Sequence, residues 1–424
     1  MDRLALGNFV QPPFLEAGGG GADCAGSAAG WQRHERQGED GVSRTLRFLH
    51  VGNGRAAKIK AIVDAFLTRG HEIHMVPIPP IEGGWEGVTW HCLTTPPVPG
   101  QAKVLARLLQ VRHLVRRLRP DVVHAHNAWG PGWYGAFAGL HPLVIHAYGG
   151  DLLPEQYRGR SALQRRLTSW ACRSADRVIV TGKHMIEAST GLGIRRERLT
   201  VLPRGVDLEH YRPGLDTAEL RERLGLGDAT PVILSPRYQV DERLYNLDTV
   251  IDAFVAVRER LPRAVCVQLY DPVREEGRSR LEKAAAERGL GAGYRLVPTV
   301  DNTMMPLFYN IADAVVSVPS SDGFPVTVLE ASACGAPLVV SSLPYCKEWF
   351  VDGENGLLVP VRDAKALAEA VLAAGTDPDL RQRLGAAGRR LVEEHADYRR
   401  CMDGLEAIYR DLLAKARRPR REVP

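Results

Sequence analysis

Two acids stand eight positions apart in Ser320-Ser321-Asp322-Gly323-Phe324-Pro325-Val326-Thr327-Val328-Leu329-Glu330. The segment follows a short apolar run at 314–318 and opens into a helical stretch toward Ala333. A helix N-terminus offers backbone N–H groups without intrahelical acceptors and a partial positive charge, which suits a diphosphate. Gly323 lets backbone come close to a ligand. An acid before the helix and another about two turns in can touch different parts of one extended ligand. The competing reading makes Asp322 a helix cap and Glu330 a solvated charge. Spacing alone leans toward that plainer reading.

The elements that must position these residues fall into two series. Residues 46–51 form an apolar run that stops at Gly52-Asn53-Gly54. Ile59, Ile62, Val63, Phe66 and Leu67 then share one helical face, Arg69-Gly70-His71 ends the helix, and 72–76 read as a strand. Strand, glycine turn, helix and strand make the βαβ unit of a parallel sheet. A basic helix at 104–118 stops before Pro120, and 121–126, 143–147 and 177–180 are further buried strands. A second series places strands at 231–235, 264–270, 294–297, 314–318 and 337–340, and Leu247, Val250, Ile251, Phe254 and Val257 give its first helix an apolar face. The connection runs from Leu202-Pro203-Arg204-Gly205-Val206-Asp207 to Pro213-Gly214. Two tandem α/β sheets predict a cleft, with ligands beyond the carboxyl ends of the strands.

Composition bounds the rest. The net charge is +5 from 55 Lys+Arg and 50 Asp+Glu, so no nucleic-acid partner is expected. Seven cysteines without a C-x-x-C pair argue against a zinc site and a full disulfide set, and fit a reducing, cytoplasmic setting. No run approaches the ~18 apolar residues of a membrane span. Residues 1–43, with their glycine run and polar stretch, lack a signal-peptide order and read as a disordered N-terminal extension.

With its neighbours, the paired-acid segment resembles glycosyltransferase family 4, the retaining glycosyl transferases of group 1. Ala331-Ser332-Ala333-Cys334-Gly335-Ala336-Pro337 continues it as the family's A-x-G-x-P. Ala175-Asp176-Arg177-Val178-Ile179-Val180, Pro203-Arg204-Gly205-Val206-Asp207 and Asp352-Gly353-Glu354-Asn355-Gly356-Leu357-Leu358-Val359 are similar as well, and the resemblance runs from about 46 to 413. It implies the GT-B fold, an α/β architecture of two Rossmann-like domains facing across a cleft. The acceptor domain is placed at 44–207, the donor domain at 208–395, a C-terminal helix packing back on the first domain at 396–414, and a basic tail at 415–424.

Residue roles follow from the resemblance. Glu330 inherits the ribose contact, and Asp322 the place beside the transferred sugar, where the family more often has Glu. The backbone of Gly323, Phe324, Pro325, Val326 and Thr327 would cradle sugar and diphosphate. Arg237 matches the family's diphosphate-binding Arg. The Lys that accompanies it is replaced by Tyr245, with Arg243 the nearest cation, whose alternative is a solvated loop charge. Val300 lies where the family meets the nucleobase. In the acceptor domain Gly52, Asn53 and Gly54 match the first loop and Asp151 the acid after the fifth segment. Tyr148 occupies a place where many members carry His. His126 ends its strand toward the cleft, whereas His146 reads as a core histidine.

The expected activity is transfer of a hexose-type sugar from a nucleoside-diphosphate sugar, with retention and without a metal or other cofactor. No D-x-D stands at a suitable strand end. The acceptor is left open among a glycan, a lipid-linked sugar and a small molecule. The rivals are a GT-B sugar-nucleotide epimerase and a non-catalytic sugar-nucleotide binder. A dinucleotide oxidoreductase fits less well, because Gly52-Asn53-Gly54 lacks the third glycine of G-x-G-x-x-G. Lys103, Arg107, Arg112, Arg116, Arg117 and Arg119 invite a peripheral membrane reading, against which a charged outer helix face is the preferred one.

Overall fold

The computed structural model describes residues 44–417 except 82, 95–99, 154–160, 238–241 and 274. The extension at 1–43 and the tail beyond 417 lie outside the described residues. These divide into two compact units, one of residues 44–181, 185–202 and 402–417, the other of 182–184 and 203–401.

The first unit is built on β1 (Arg47–Gly52), β2 (Glu72–Pro77), β3 (Val88–Trp90), β4 (Val122–His126), β5 (Leu143–Ala147), β6 (Arg177–Val180) and β7 (Leu199–Val201). They lie in the order β3-β2-β1-β4-β5-β6-β7, each pairing parallel. The second holds β8 (Val232–Ser235), β9 (Val265–Tyr270), β10 (Tyr294–Pro298), β11 (Ala314–Ser317), β12 (Leu338–Ser341) and β13 (Leu357–Val359), ordered β10-β9-β8-β11-β12-β13 and again parallel. Each sheet therefore reverses its winding once, between β1 and β4 and between β8 and β11. The carboxyl ends of those strand pairs are where open α/β sheets receive ligands.

Helices cover both faces of each sheet, so the central strands are buried on both faces rather than alternating, with few polar residues among them. In the second unit Val232, Leu234, Val265 and Val267 join one core while Ile233, Cys266 and Val316 join the other, on opposite faces of the sheet. The amino edges are closed by a repeated device. Asp121, Asp176 and Asp313 each precede a strand and accept the first N–H of its neighbour, from Arg47, Leu143 and Val232, at 2.8 Å in every case. With amino edges tied, the carboxyl edges carry the loops with unusual side chains.

The sequence reading has five strands per unit; the structure adds β3, β7 and β13. Each is three residues long and largely part-exposed at or toward a sheet edge, too short and too mixed to register as an apolar run. The A-x-G-x-P motif also gains a physical meaning. Gly335 ends the helix Val326–Ala333 at a φ of +67°, and a Cβ on Gly385 of the helix Pro378–His395 would fall 2.1 Å from the Gly335 carbonyl.

The last helix, Tyr398–Arg417, contributes residues 402–417 to the first unit. Its Tyr409 is fully buried against Phe48 and Phe66, and Arg69 pairs with Asp403 and Glu406 at 2.6 Å each. The basic helix spans Gly100–Leu118 and buries Val111 and Val115. Its exposed residues include Val104, Leu105 and Leu109. No helix among the described residues is long and apolar enough to cross a membrane. The six described cysteines are free thiols.

Candidate active site

Asp322 and Arg237 meet at the carboxyl edge of the second sheet. Arg237 lies two residues beyond β8, and its Nη2 donates to Asp322 Oδ2 at 2.8 Å while Nε donates to Ser317 Oγ at 3.1 Å. Both side chains are largely buried, at 14% and 17% exposure. Burial alone would lower the arginine's pKa, but the facing Asp322 charge, with Tyr245 and Tyr345, outweighs it and raises the value. Gln268 Nε2 holds the Arg237 carbonyl at 2.7 Å, and the Tyr245 ring stands 5.2 Å from the guanidinium. Asn246 donates to the Val318 carbonyl and to Ser320 Oγ, so the loops after β8 and β11 are tied together.

The helix after that loop begins at Val326, with Pro325 at its N-cap and no side-chain cap. Asp322 is thus not the cap that the plainer reading made it; Arg237 takes its carboxylate instead. Phe324 turns its ring into the core against Tyr345 and Trp349, which leaves its backbone on the loop side. Thr327 Oγ1 is buried without a hydrogen-bond partner among the described residues. An orphan hydroxyl in the first turn of a helix, next to N–H groups that have no intrahelical acceptor, suits an anionic ligand.

Glu330 is not a solvated charge either. Tyr309 Oη donates to its Oε2 at 2.8 Å, and Tyr211 supplies a second hydrogen bond. Burial raises the carboxyl pKa, and the two hydroxyls, then Arg204 and His210, pull it back in part. The arrangement holds a carboxylate in place among neutral hydroxyl donors. Val300, just past β10, is part-buried against the same core. The Arg243 side chain lies outside the described residues.

The carboxyl edge of the first sheet is built differently. Gly52 ends β1 and Asn53 and Gly54 follow it; a Cβ on Gly52 would sit 2.9 Å from both His126 Cβ and Ile59 Cδ1, so only glycine fits there. His126 Nδ1 lies 2.9 Å from Tyr148 Oη, and Lys58 Nζ is 3.9 Å from the centre of the Tyr148 ring. Asp151 is fully buried; its carboxylate accepts from the backbone of Ala128, Tyr148 and Gly149, bracing the ends of β4 and β5. Burial pushes its pKa up against those N–H bonds.

The chain matches the description "Glycosyl transferases group 1" over residues 216–391 and "Glycosyl transferase 4-like domain" over 53–205. It is 30% identical over 326 residues to a D-inositol 3-phosphate glycosyltransferase of Xylanimonas cellulosilytica, covering 71% of this chain and 74% of that one. The chain belongs to the group 1 glycosyltransferases. The corresponding enzyme of Catenulispora acidiphila is 29% identical over 323 residues, 70% of this chain and 73% of that one. The structure of Anabaena HepE in complex with UDP and glucose superposes with a TM-score of 0.74 at 17% identity, over 87% of this chain and 100% of that one. This likeness makes the fold GT-B.

Within this group 1 glycosyltransferase, the structure brings Arg237, Tyr245 and Asp322 together, and separately gathers Gly52, His126, Tyr148 and Asp151. Sequence reasoning did not single out Tyr309, Tyr211, Ser317, Asn246, His50 or His124. Tyrosines over a distant carboxylate leave no local pattern. The histidines did leave one: His124-Ala125-His126 puts two imidazoles on one face of a strand.

Proposed function

We propose that this glycosyltransferase moves a hexose from a nucleoside-diphosphate sugar to a hydroxyl acceptor with retention and without a metal. The reading is carried by one observation: Arg237 and Asp322 are paired ahead of the helix that bears Glu330. Arg237 has five N–H donors. Asp322 and Ser317 engage two of its nitrogens, so the fork can take diphosphate oxygens while still holding Asp322. Together with the helix N-terminus it supplies the positive charge that the departing diphosphate requires. Glu330, fixed by its tyrosines, accepts from the ribose hydroxyls. Asp322 faces the anomeric carbon as positive charge grows there.

In the step itself the acceptor oxygen bonds to the anomeric carbon on the face from which the diphosphate leaves. The sugar–phosphate bond breaks, and the acceptor's proton passes to the departing phosphate oxygen. The products are the glycoside and a nucleoside diphosphate. Positioning and charge stabilisation carry the catalysis. UDP and glucose in the Anabaena protein support the donor class, and the inositol 3-phosphate relatives support a polyhydroxylated acceptor.

The test is incubation with UDP-hexoses and a panel of inositol 3-phosphate, hexoses, hexose phosphates and lipid-linked sugars. The expected result is UDP release coupled to an α-linked product from an α-linked donor, unchanged in excess EDTA. Binding without turnover would point to a non-catalytic binder, and a changed sugar without an acceptor to an epimerase. Loss of activity on chelation, restored by Mg²⁺, would overturn metal independence.

A further inference from the structure

Four histidines cross the middle of the first sheet on one face. His50 on β1 is the register partner of His124 on β4, and His126 on β4 is the partner of His146 on β5. All four are buried, with exposures of 0–2%. Ring nitrogens of His50, His124 and His126 lie within 4.8 Å of one another, which raises the question of a metal. Yet His50 Nδ1 and His126 Nε2 are 2.8 Å apart. Two ligands of one tetrahedral zinc at 2.0–2.1 Å would stand about 3.3 Å apart, so this contact is a hydrogen bond between neutral rings.

The direction of that bond follows from what surrounds it. A neutral imidazole carries one N–H. His50 Nε2 is buried without a partner among the described residues. Were the His50 proton on Nε2, a buried N–H would be left unsatisfied, the costlier kind of orphan. With the proton on Nδ1 it is donated to His126 Nε2, and only a lone pair is left over. His126 must then carry its own proton on Nδ1, where it is donated to Tyr148 Oη, 2.9 Å away. Because Tyr148 Oη accepts that bond, its own proton is directed away from His126, and Tyr148 is part-exposed at the carboxyl edge.

We infer that His50 is a positioning residue: by donating to His126 it fixes the chain His50→His126→Tyr148 and makes Tyr148 a hydrogen-bond donor toward an oxygen lone pair of the acceptor. The acceptor part of this statement rests on the transferase reading above; the direction of the chain does not. Tyr148 then selects for an oxygen able to accept, such as a hydroxyl, carboxylate or phosphate oxygen, over an N–H group that can only donate. The other branch, His124 to Tyr409 at 2.6 Å, ends on a fully buried hydroxyl and has no such outlet.

The direct experiment is long-range ¹⁵N–¹H spectroscopy of the whole protein labelled at histidine, with His50→Leu and His126→Gln used for assignment. The expected result is protonated Nδ1 on both His50 and His126. Protonated Nε2 on His126 would overturn the proposal, as would stoichiometric Zn²⁺ or Co²⁺ retained by wild type and lost in His50→Leu. With the most active acceptor of the panel, His50→Leu and Tyr148→Phe should each raise acceptor KM roughly 3- to 10-fold, with UDP affinity unchanged. The double variant should be no worse than either single one, because both break one chain. His50→Asn, whose amide NH₂ can stand in for Nδ1–H, should restore most of the loss. Additive effects would contradict the chain even if the transferase reading holds. If no acceptor is turned over, the spectra still decide the direction.

Discussion

The carboxyl edges of the two sheets are equivalent in topology and different in chemistry. Beyond β8 and β11 stand a guanidinium, a carboxylate bound to it and a second carboxylate held by tyrosines. Within β1 and β4, running toward that edge, stand imidazoles that burial keeps neutral, with the His50 pKa lowered from 6.5 to about 3 and those of His124 and His126 also well below it, while Lys58 and the buried Asp151 lie beside Tyr148 and the strand ends. A nucleoside diphosphate brings charge that must be met by charge. On the proposed reading, the hydroxyl that takes the sugar is itself uncharged and is oriented by neutral donors. On the proposed reading, one fold serves two partners by changing side chains at a fixed place.

The largest effect expected is at the charged edge. Arg237→Ala removes the leaving-group cation and strands Asp322 without its partner, so kcat/KM should fall about 10²- to 10³-fold. Arg237→Lys should recover only part, because a point charge cannot bridge Ser317, Asp322 and phosphate as a planar fork does. Steady-state kinetics with UDP-hexose checks both. Full activity in Arg237→Ala would remove the contrast between the edges.

A smaller effect should mark the neutral edge. The folded His50, His124 and His126 stay unprotonated where the unfolded chain takes up protons near 6.5. Between that value and about 3 for His50, the unfolded state holds more protons, so their contribution to stability is lost as pH falls. Calorimetric scans from pH 7 to 4 should show the transition of the first unit moving down by several degrees more than that of the second. His50→Leu should flatten that dependence. Equal shifts for both transitions would mean that the histidines do not distinguish the units.

Much of this contrast was open to reading in the sequence, and the reasons for the rest are physical. The central strands announce themselves because burial on both faces makes them mostly apolar. The edge strands β3, β7 and β13 pair on fewer sides and carry mixed residues. Asp322 and Glu330 are singled out by the family resemblance, where spacing alone leans toward a cap and a solvated charge. The partners that define their states, Arg237 at 85 residues' separation and Tyr309 at 21, become neighbours only through the fold. Asp151 shows the converse: the acid matched to the acceptor domain by resemblance also accepts from the backbone N–H groups of Ala128, Tyr148 and Gly149, a bracing role that its sequence neighbours do not announce.

The central claim is that the two acids, one ahead of a helix and one within it, divide the donor between them, Glu330 taking the nucleotide and Asp322 the sugar. Titration calorimetry with UDP tests it, because UDP has the ribose and diphosphate but no sugar. Glu330→Gln should weaken UDP binding roughly 10- to 200-fold, the worth of a charged hydrogen bond of about 1.5–3 kcal/mol. Asp322→Asn should leave UDP affinity within about threefold, since Arg237 is then released toward the diphosphate, while its kcat with UDP-hexose falls roughly 10- to 200-fold. If Asp322→Asn weakens UDP as much as Glu330→Gln does, Asp322 serves the nucleotide pocket and the division is wrong.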